Sequence, residues 1–276
     1  MRPHLQRTNA RALLIAVAVL AATATFFLGI WVGRRPGQRG AAMEAMAKIE
    51  SARVDAIESA TAPPIAGKTP ISGANRLKEF KATLGEAAEK LSTEERKPLL
   101  AAQELVARIQ PQMAEYETTL KALAEARYVA PASVKTQDEL KARRALVQRF
   151  DDANEALVRY FKNAERDYRD ALGKLGVTEN LKQGVLDGFR RGGNFDLNLK
   201  IHESNRQLAA SMQEMLKLLN REWGAWRTDE RGAAIFDHED AVKEFETLQG
   251  ELTAAAAKHD AAEKKLIERA AKGARP

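Results

Sequence analysis

From Ser92 onward, apolar residues recur at alternating intervals of three and four. The first such stripe is Leu99, Ala102, Val106, Ile109, Met113, Tyr116, Leu120 and Leu123. A mean spacing near 3.5 residues keeps these side chains on one helical face, so the run predicts a long amphipathic helix. The "STEE" at Ser92–Glu95 reads as its capping box. Pro98 fits near the helix start, whereas Pro111 falls inside and is expected to kink or break it. A second stripe, Leu140, Val147, Phe150, Leu157, Phe161, Ala164, Tyr168 and Leu175, predicts a helix over 136–174. A third, Leu197, Ile201, Leu208, Met212, Met215, Leu219, Trp223 and Trp226, predicts one over 196–228. A fourth, Val242, Phe245, Leu248, Leu252, Ala255, His259, Ala262 and Leu266, predicts one over 238–271. Each stripe is flanked by charge and must be buried on another. Short connections at 127–136 and 228–237 make neighbours antiparallel. A shorter helix at 178–190 and the Gly192-Gly193 pair lengthen the middle connection. The expected fold class is all-α: an elongated up-down-up-down bundle, or a pair of antiparallel coiled-coil hairpins.

The N-terminal pattern is different. Ala12 to Gly33 is a run of 22 residues without a charge. As a helix it spans ~33 Å, close to the hydrocarbon thickness of a bilayer. A cleavage site is arguable at Ala22-Thr23-Ala24, yet Phe26, Phe27, Leu28, Ile30, Trp31 and Val32 continue the apolar run beyond it. The length therefore favours an uncleaved single transmembrane helix over a signal peptide. Arg11 precedes the span, and Arg34 and Arg35 follow it as flanks. A short basic tail before an apolar run is the layout of a signal anchor, which leaves the body outside the cytoplasm. Within the span, Ala21, Thr25, Gly29 and Gly33 recur every four residues, and Gly29–Gly33 is a GxxxG. Small residues on one stripe let two helices approach closely, so this face is a candidate for self-association in lipid.

The expected organisation is a basic tail (1–11), the transmembrane helix (12–33), a juxtamembrane helix (34–60), a Pro/Gly linker (61–75), the helical bundle (76–272) and a C-terminal tail (273–276). A short helix at about 75–90 opens the bundle, and Met43, Met46, Ile49, Val54 and Ile57 stripe the juxtamembrane segment.

Charge refines this picture. The chain carries a formal net charge of +6, but residues 1–39 hold Arg2, Arg7, Arg11, Arg34, Arg35 and Arg39 and no acid. The remainder is neutral on balance, which argues against nucleic acid as a partner, because a nucleic-acid footprint needs Lys and Arg clustered on the body. The chain has no cysteine, so disulfides, thiolate metal sites and a cysteine nucleophile are excluded.

Candidate chemistry is sparse. His202-Glu203 begins like a zincin helix, but Arg206 stands where the second histidine is required. No histidine has Glu three residues before it, as di-iron bundles need. His202 and His259 are expected on helix surfaces or at a seam edge. Asp237-His238-Glu239-Asp240 reads as the first turn of the last helix, with Asp237 as N-cap. The Gly67-Lys68-Thr69 of a phosphate loop lies among Pro63, Pro64 and Pro70 with Ala62 in place of the first glycine, so no phosphate cradle is expected. Arg190-Arg191-Gly192-Gly193 reads as a solvated loop. Trp223 and Trp226 are the conspicuous aromatics of the body. They are expected to plug the bundle end, with partner contact as the alternative. No cofactor or catalytic residue is expected.

"LSTEERKPLLAAQELV" at the start of the bundle and "WRTDERGAAIFDHEDAVKEFETLQ" near its end resemble bacterial envelope proteins of the uncharacterised YiaF-like group, over roughly residues 91–266. That resemblance implies a place in the cell envelope and no functional residue. Two readings follow. The first is a non-enzymatic, single-pass protein of the inner membrane, with its body in the periplasm, acting as a helical spacer or protein-interaction module. The second is a single-span sensory module that binds a small ligand between its helices, with Asn154 and Ser204 lining the pocket. The expected partners are the lipid bilayer and either another protein or a second copy.

Overall fold

The computed structural model describes residues 39–61, 72–125, 130–230 and 232–273. Among these residues are seven helices: α1 (Arg39–Thr61), α2 (Gly73–Glu89), α3 (Thr93–Glu125), α4 (Gln137–Lys174), α5 (Glu179–Gly192), α6 (Phe195–Arg221) and α7 (Glu239–Gly273). A 3-10 turn, Pro131–Ser133, lies between α3 and α4. Two short strands, β1 (Trp226–Thr228) and β2 (Ala234–Phe236), lie between α6 and α7. Among the described residues no helix is long and apolar enough to cross a membrane. The 12–33 span, its Arg11, Arg34 and Arg35 flanks and the Ala21–Thr25–Gly29–Gly33 face lie outside the described residues, as does the Gly67-Lys68-Thr69 segment.

The helices end where local chemistry stops them. The Ser72 side chain accepts from the Asn75 N–H at the start of α2, so Gly73, Ala74 and Asn75 belong to that helix rather than to the linker. Glu95 reaches back to the Ser92 N–H at 2.7 Å, the acidic half of the expected capping box. Thr136 caps α4 through the Glu139 N–H, while the Glu139 carboxylate accepts from the Lys135 N–H. At the far end of α4, Gly176 adopts φ +66°, which glycine alone adopts without a steric penalty. The Val177 and Gly176 N–H groups then close onto the Leu172 and Gly173 carbonyls, a Schellman stop sealed by the buried Leu172 and Val177. Gly193 is needed between α5 and α6 because a Cβ there would lie 1.9 Å from the Phe195 ring.

The stripes found the core. All eight predicted positions of α3, from Leu99 to Leu123, are buried, as are Leu140, Val147, Phe150, Leu157, Phe161, Ala164 and Tyr168 of α4. Three expectations are corrected. First, α3 runs unbroken through Pro111. The proline ring is exposed, while Ile109 and Met113 on either side are buried against the core, so tertiary packing offsets the lost hydrogen bond. Second, α6 stops at Arg221 rather than 228. Gly224 (φ +88°) turns the chain into an antiparallel hairpin that pairs Trp226 with Phe236 and Thr228 with Ala234. The described body is mostly helical, consistent with an all-α class, and carries one small hairpin. Third, the Val242 N–H bonds the His238 carbonyl, which puts His238 rather than Asp237 at the cap of α7. Asp237 instead accepts from Arg227 at 2.9 Å.

Long-range bonds fix the directions. Tyr168 donates to the Pro98 carbonyl (3.2 Å) and Arg149 to Glu115 (3.0 Å), so α3 and α4 are antiparallel. Asn154 and Gln213 bond the His202 and Arg144 carbonyls, which makes α4 and α6 antiparallel. Arg221–Glu244 and Arg269–Asp196 do the same for α6 and α7. The order is thus up-down-up-down for α3, α4, α6 and α7, with α2 laid along α3. Ion pairs Lys48–Glu86 and Lys90–Glu44 run α1 back along α2. Arg39, at the start of α1, therefore lies at the opposite end of the bundle from the hairpin, the length of a helix of ~50 Å away.

Candidate functional site

Partway along the bundle the apolar filling is interrupted. On α6, the buried positions Asn198, His202 and Asn205 follow the same three-and-four spacing as the leucines. On α7, His259 and Glu263 occupy seam positions one turn apart, and both are only 6% exposed. Asn154 of α4 is fully buried, and Tyr116 of α3 is 5% exposed. Beyond this layer, Leu197, Ile201, Ala262 and Leu266 form a hydrophobic cluster separate from the main core. His202 and His259 were expected on the surface or at a seam edge. Both are interior, because their positions fall in phase with apolar stripes on facing helices.

The hydrogen bonds of the layer assign its protons. The Asn154 amide N–H donates to the His202 carbonyl at 2.8 Å, which turns its carbonyl oxygen toward His202 Nδ1, also at 2.8 Å. Nδ1 must therefore donate, and Nε2 carries the lone pair. Asn205 donates to the Tyr116 hydroxyl at 2.8 Å. The imidazole of His202 stacks on Phe161 (centroids 5.4 Å apart) and meets the edge of Tyr116 at 5.7 Å. Burial, with a smaller contribution from His259, pushes the His202 pKa down to about 3. Burial also lowers the His259 pKa, although Asp260 opposes the shift. Both imidazoles are thus neutral at pH 7. Burial raises the Tyr116 hydroxyl well above its usual range, and the nearby Glu263 carboxylate adds to the effect.

Neutral imidazoles and carboxylates are metal-ligand types. Among the described residues, His259, Asp260 and Glu263 each offer a ligand atom within 4.8 Å of the others'. Asp260 is exposed, and its partner is His259 Nδ1 at 3.6 Å. The spacing His-Asp-x-x-Glu matches none of the metal motifs weighed from the sequence. Its legible signal was a histidine and a glutamate in the apolar phase of one helix.

The other expected positions resolve differently. Asn154 and Ser204, the candidate pocket residues, are engaged internally, Asn154 with His202 and Ser204 with the Lys200 carbonyl at 2.9 Å. At the start of α7 Asp237 pairs with Arg227, Glu239 with Lys243, and His238 with the Glu222 carboxylate. Arg190 and Arg191 lie in the last turn of α5, and Arg190 binds Glu165 and Asp187. An open groove of about 410 Å³ on α3 and α4 is lined by Arg108, Gln112, Arg159, Tyr160, Asn163 and Asp167. There Arg108 is paired with Glu104 and Asp167.

The two tryptophans part company. Trp226 is half-buried and donates from Nε1 to the Leu219 carbonyl at 2.9 Å, closing the end of α6. Trp223 rests edge-on against it, centroids 5.8 Å apart, and stays 37% exposed. Across the hairpin Phe236 is buried against Phe245, whereas Ile235 is 39% exposed. Comparison with known proteins gives no match to any family model, curated protein or solved structure.

Proposed function

We propose that this chain is a membrane-tethered, non-catalytic helical module of the cell envelope, which holds a protein-binding tip away from the bilayer. The single observation that carries the reading is the placement of Trp223 and Ile235. Apart from Met43 on α1, they are the exposed large apolar side chains among the described residues. Both lie at the end remote from Arg39, Trp223 against Trp226 and Ile235 beside Arg227 on the hairpin, while beyond Arg39 the chain leads to the uncharged run 12–33. Trp is enriched where protein interfaces concentrate their binding energy.

Mechanically, the span fixes location, and the interlocked helices, α1 among them, carry the tip outward. The test is fractionation of the full chain against a version beginning at Arg39. The full chain is expected in the membrane pellet after alkaline carbonate washing, and the shorter one in the soluble fraction with an unchanged helical circular dichroism spectrum. A full chain released by carbonate would overturn the reading.

A further inference from the structure

The layer between α6 and α7 gathers lone pairs. His202 Nδ1 is committed to Asn154, and its Nε2 makes no hydrogen bond to a described residue. His259 lies within electrostatic reach of it, and Asp260 bonds no lysine or arginine among the described residues.

We propose that α7 binds a divalent transition-metal ion through His259, Asp260 and Glu263. Donor atoms on one such ion sit ~2.0–2.2 Å from it and so roughly 3–3.5 Å apart. His259, Asp260 and Glu263 already hold their ligand atoms within 4.8 Å of one another, one to two ångströms from that spacing. One imidazole with two carboxylates selects zinc-like ions over Mg²⁺ and Ca²⁺, which prefer all-oxygen shells. The burial gradient supplies the rest of the site. His259 and Glu263 form an inner wall at 6% exposure each, while the exposed Asp260 marks the side from which the ion and its water enter. A bound ion would staple the last turns of α7 together. The inference is independent of the tether, because it concerns α7 alone.

The experiment uses the full chain in detergent, freed of metal by a chelator and titrated with Co²⁺ alone. The visible absorbance of bound Co²⁺ is expected to saturate at one equivalent, and added Zn²⁺ to remove it. Asp260→Asn alters an exposed side chain and leaves the fold intact, yet should weaken Co²⁺ at least tenfold. Glu263→Gln should do the same, and Glu239→Gln at the other end of α7 should change nothing. A titration without a saturable band overturns the proposal, and so does wild-type affinity in Asp260→Asn.

Discussion

Between α3 and α4, Tyr160 and Tyr168 bury their rings and donate their hydroxyls to the Leu105 and Pro98 carbonyls, so each polar atom ends on the backbone beside it. Between α6 and α7 the seam starts in the same apolar style, with Leu208, Met212, Phe245, Leu248 and Leu252, and then changes to His202, Asn205, His259 and Glu263. Both seams obey one spacing rule. They differ in what a substitution removes: packed volume in the first, an ordered set of protons and lone pairs in the second. Helical periodicity thus decides where a side chain is buried and leaves its chemistry free to vary.

The comparison can be broken by a pair of truncations. Leu105 and Leu266 are both fully buried, but Leu266 belongs to the small separate cluster. Leu105→Ala is expected to destabilise by about 4 kcal/mol and Leu266→Ala by about 2 kcal/mol, because the four-residue cluster can collapse around the lost volume. Urea titration followed by circular dichroism measures both, and equal losses would mean that the layer does not divide the core.

Acid should act on the polar seam. His202 has a folded pKa near 3, below its unfolded value near 6.5, so the unfolded chain binds the extra proton first. Stability is full above about pH 6.5 and is lost as pH falls toward 3, by on the order of 4 kcal/mol from this residue. The groups around it are Tyr116 from α3, Asn154 from α4, Asn205 from α6, and His259 and Glu263 from α7. The lowered pKa of His259 pushes in the same direction. In chelator, His202→Gln should flatten the loss of stability between pH 7 and pH 4. A variant that keeps the wild-type pH profile would remove His202 from the account.

Asn154→Leu keeps volume but strands the Nδ1–H of His202. It should cost about 2–3 kcal/mol, the penalty of a buried donor without a partner. Imidazole proton NMR would show the tautomer no longer locked to Nδ1–H. The smallest effect belongs to the apolar seam: Tyr168→Phe removes one hydroxyl bond to the Pro98 carbonyl and should cost about 1 kcal/mol.

Much of the bundle was legible because burial recurs with the helical repeat. Leu99 through Leu123 were read correctly even though Pro111 sits among them, since a proline ring on the solvent side leaves the buried face intact. Trp226 was misplaced because its spacing from Leu219 and Trp223 satisfies a helix, while the turn at Gly224 depends on a backbone angle that spacing does not encode. The polar layer was missed for another reason. His202, Asn154 and His259 each look ordinary on a single helix, and their meaning appears only when three helices bring them to one height. His259 in phase with Ala255, Ala262 and Leu266 was the available sign.

The most direct measurement of the central claim, a tethered bundle with its tip held outside the cytoplasm, uses the natural absence of cysteine. Thr228→Cys, exposed on β1, creates a single thiol at the tip for a membrane-impermeant maleimide applied to intact spheroplasts. Labelling before lysis, on material that stays in the membrane fraction, is the predicted result. Labelling that appears only after lysis, or on protein released into the soluble fraction, would contradict it.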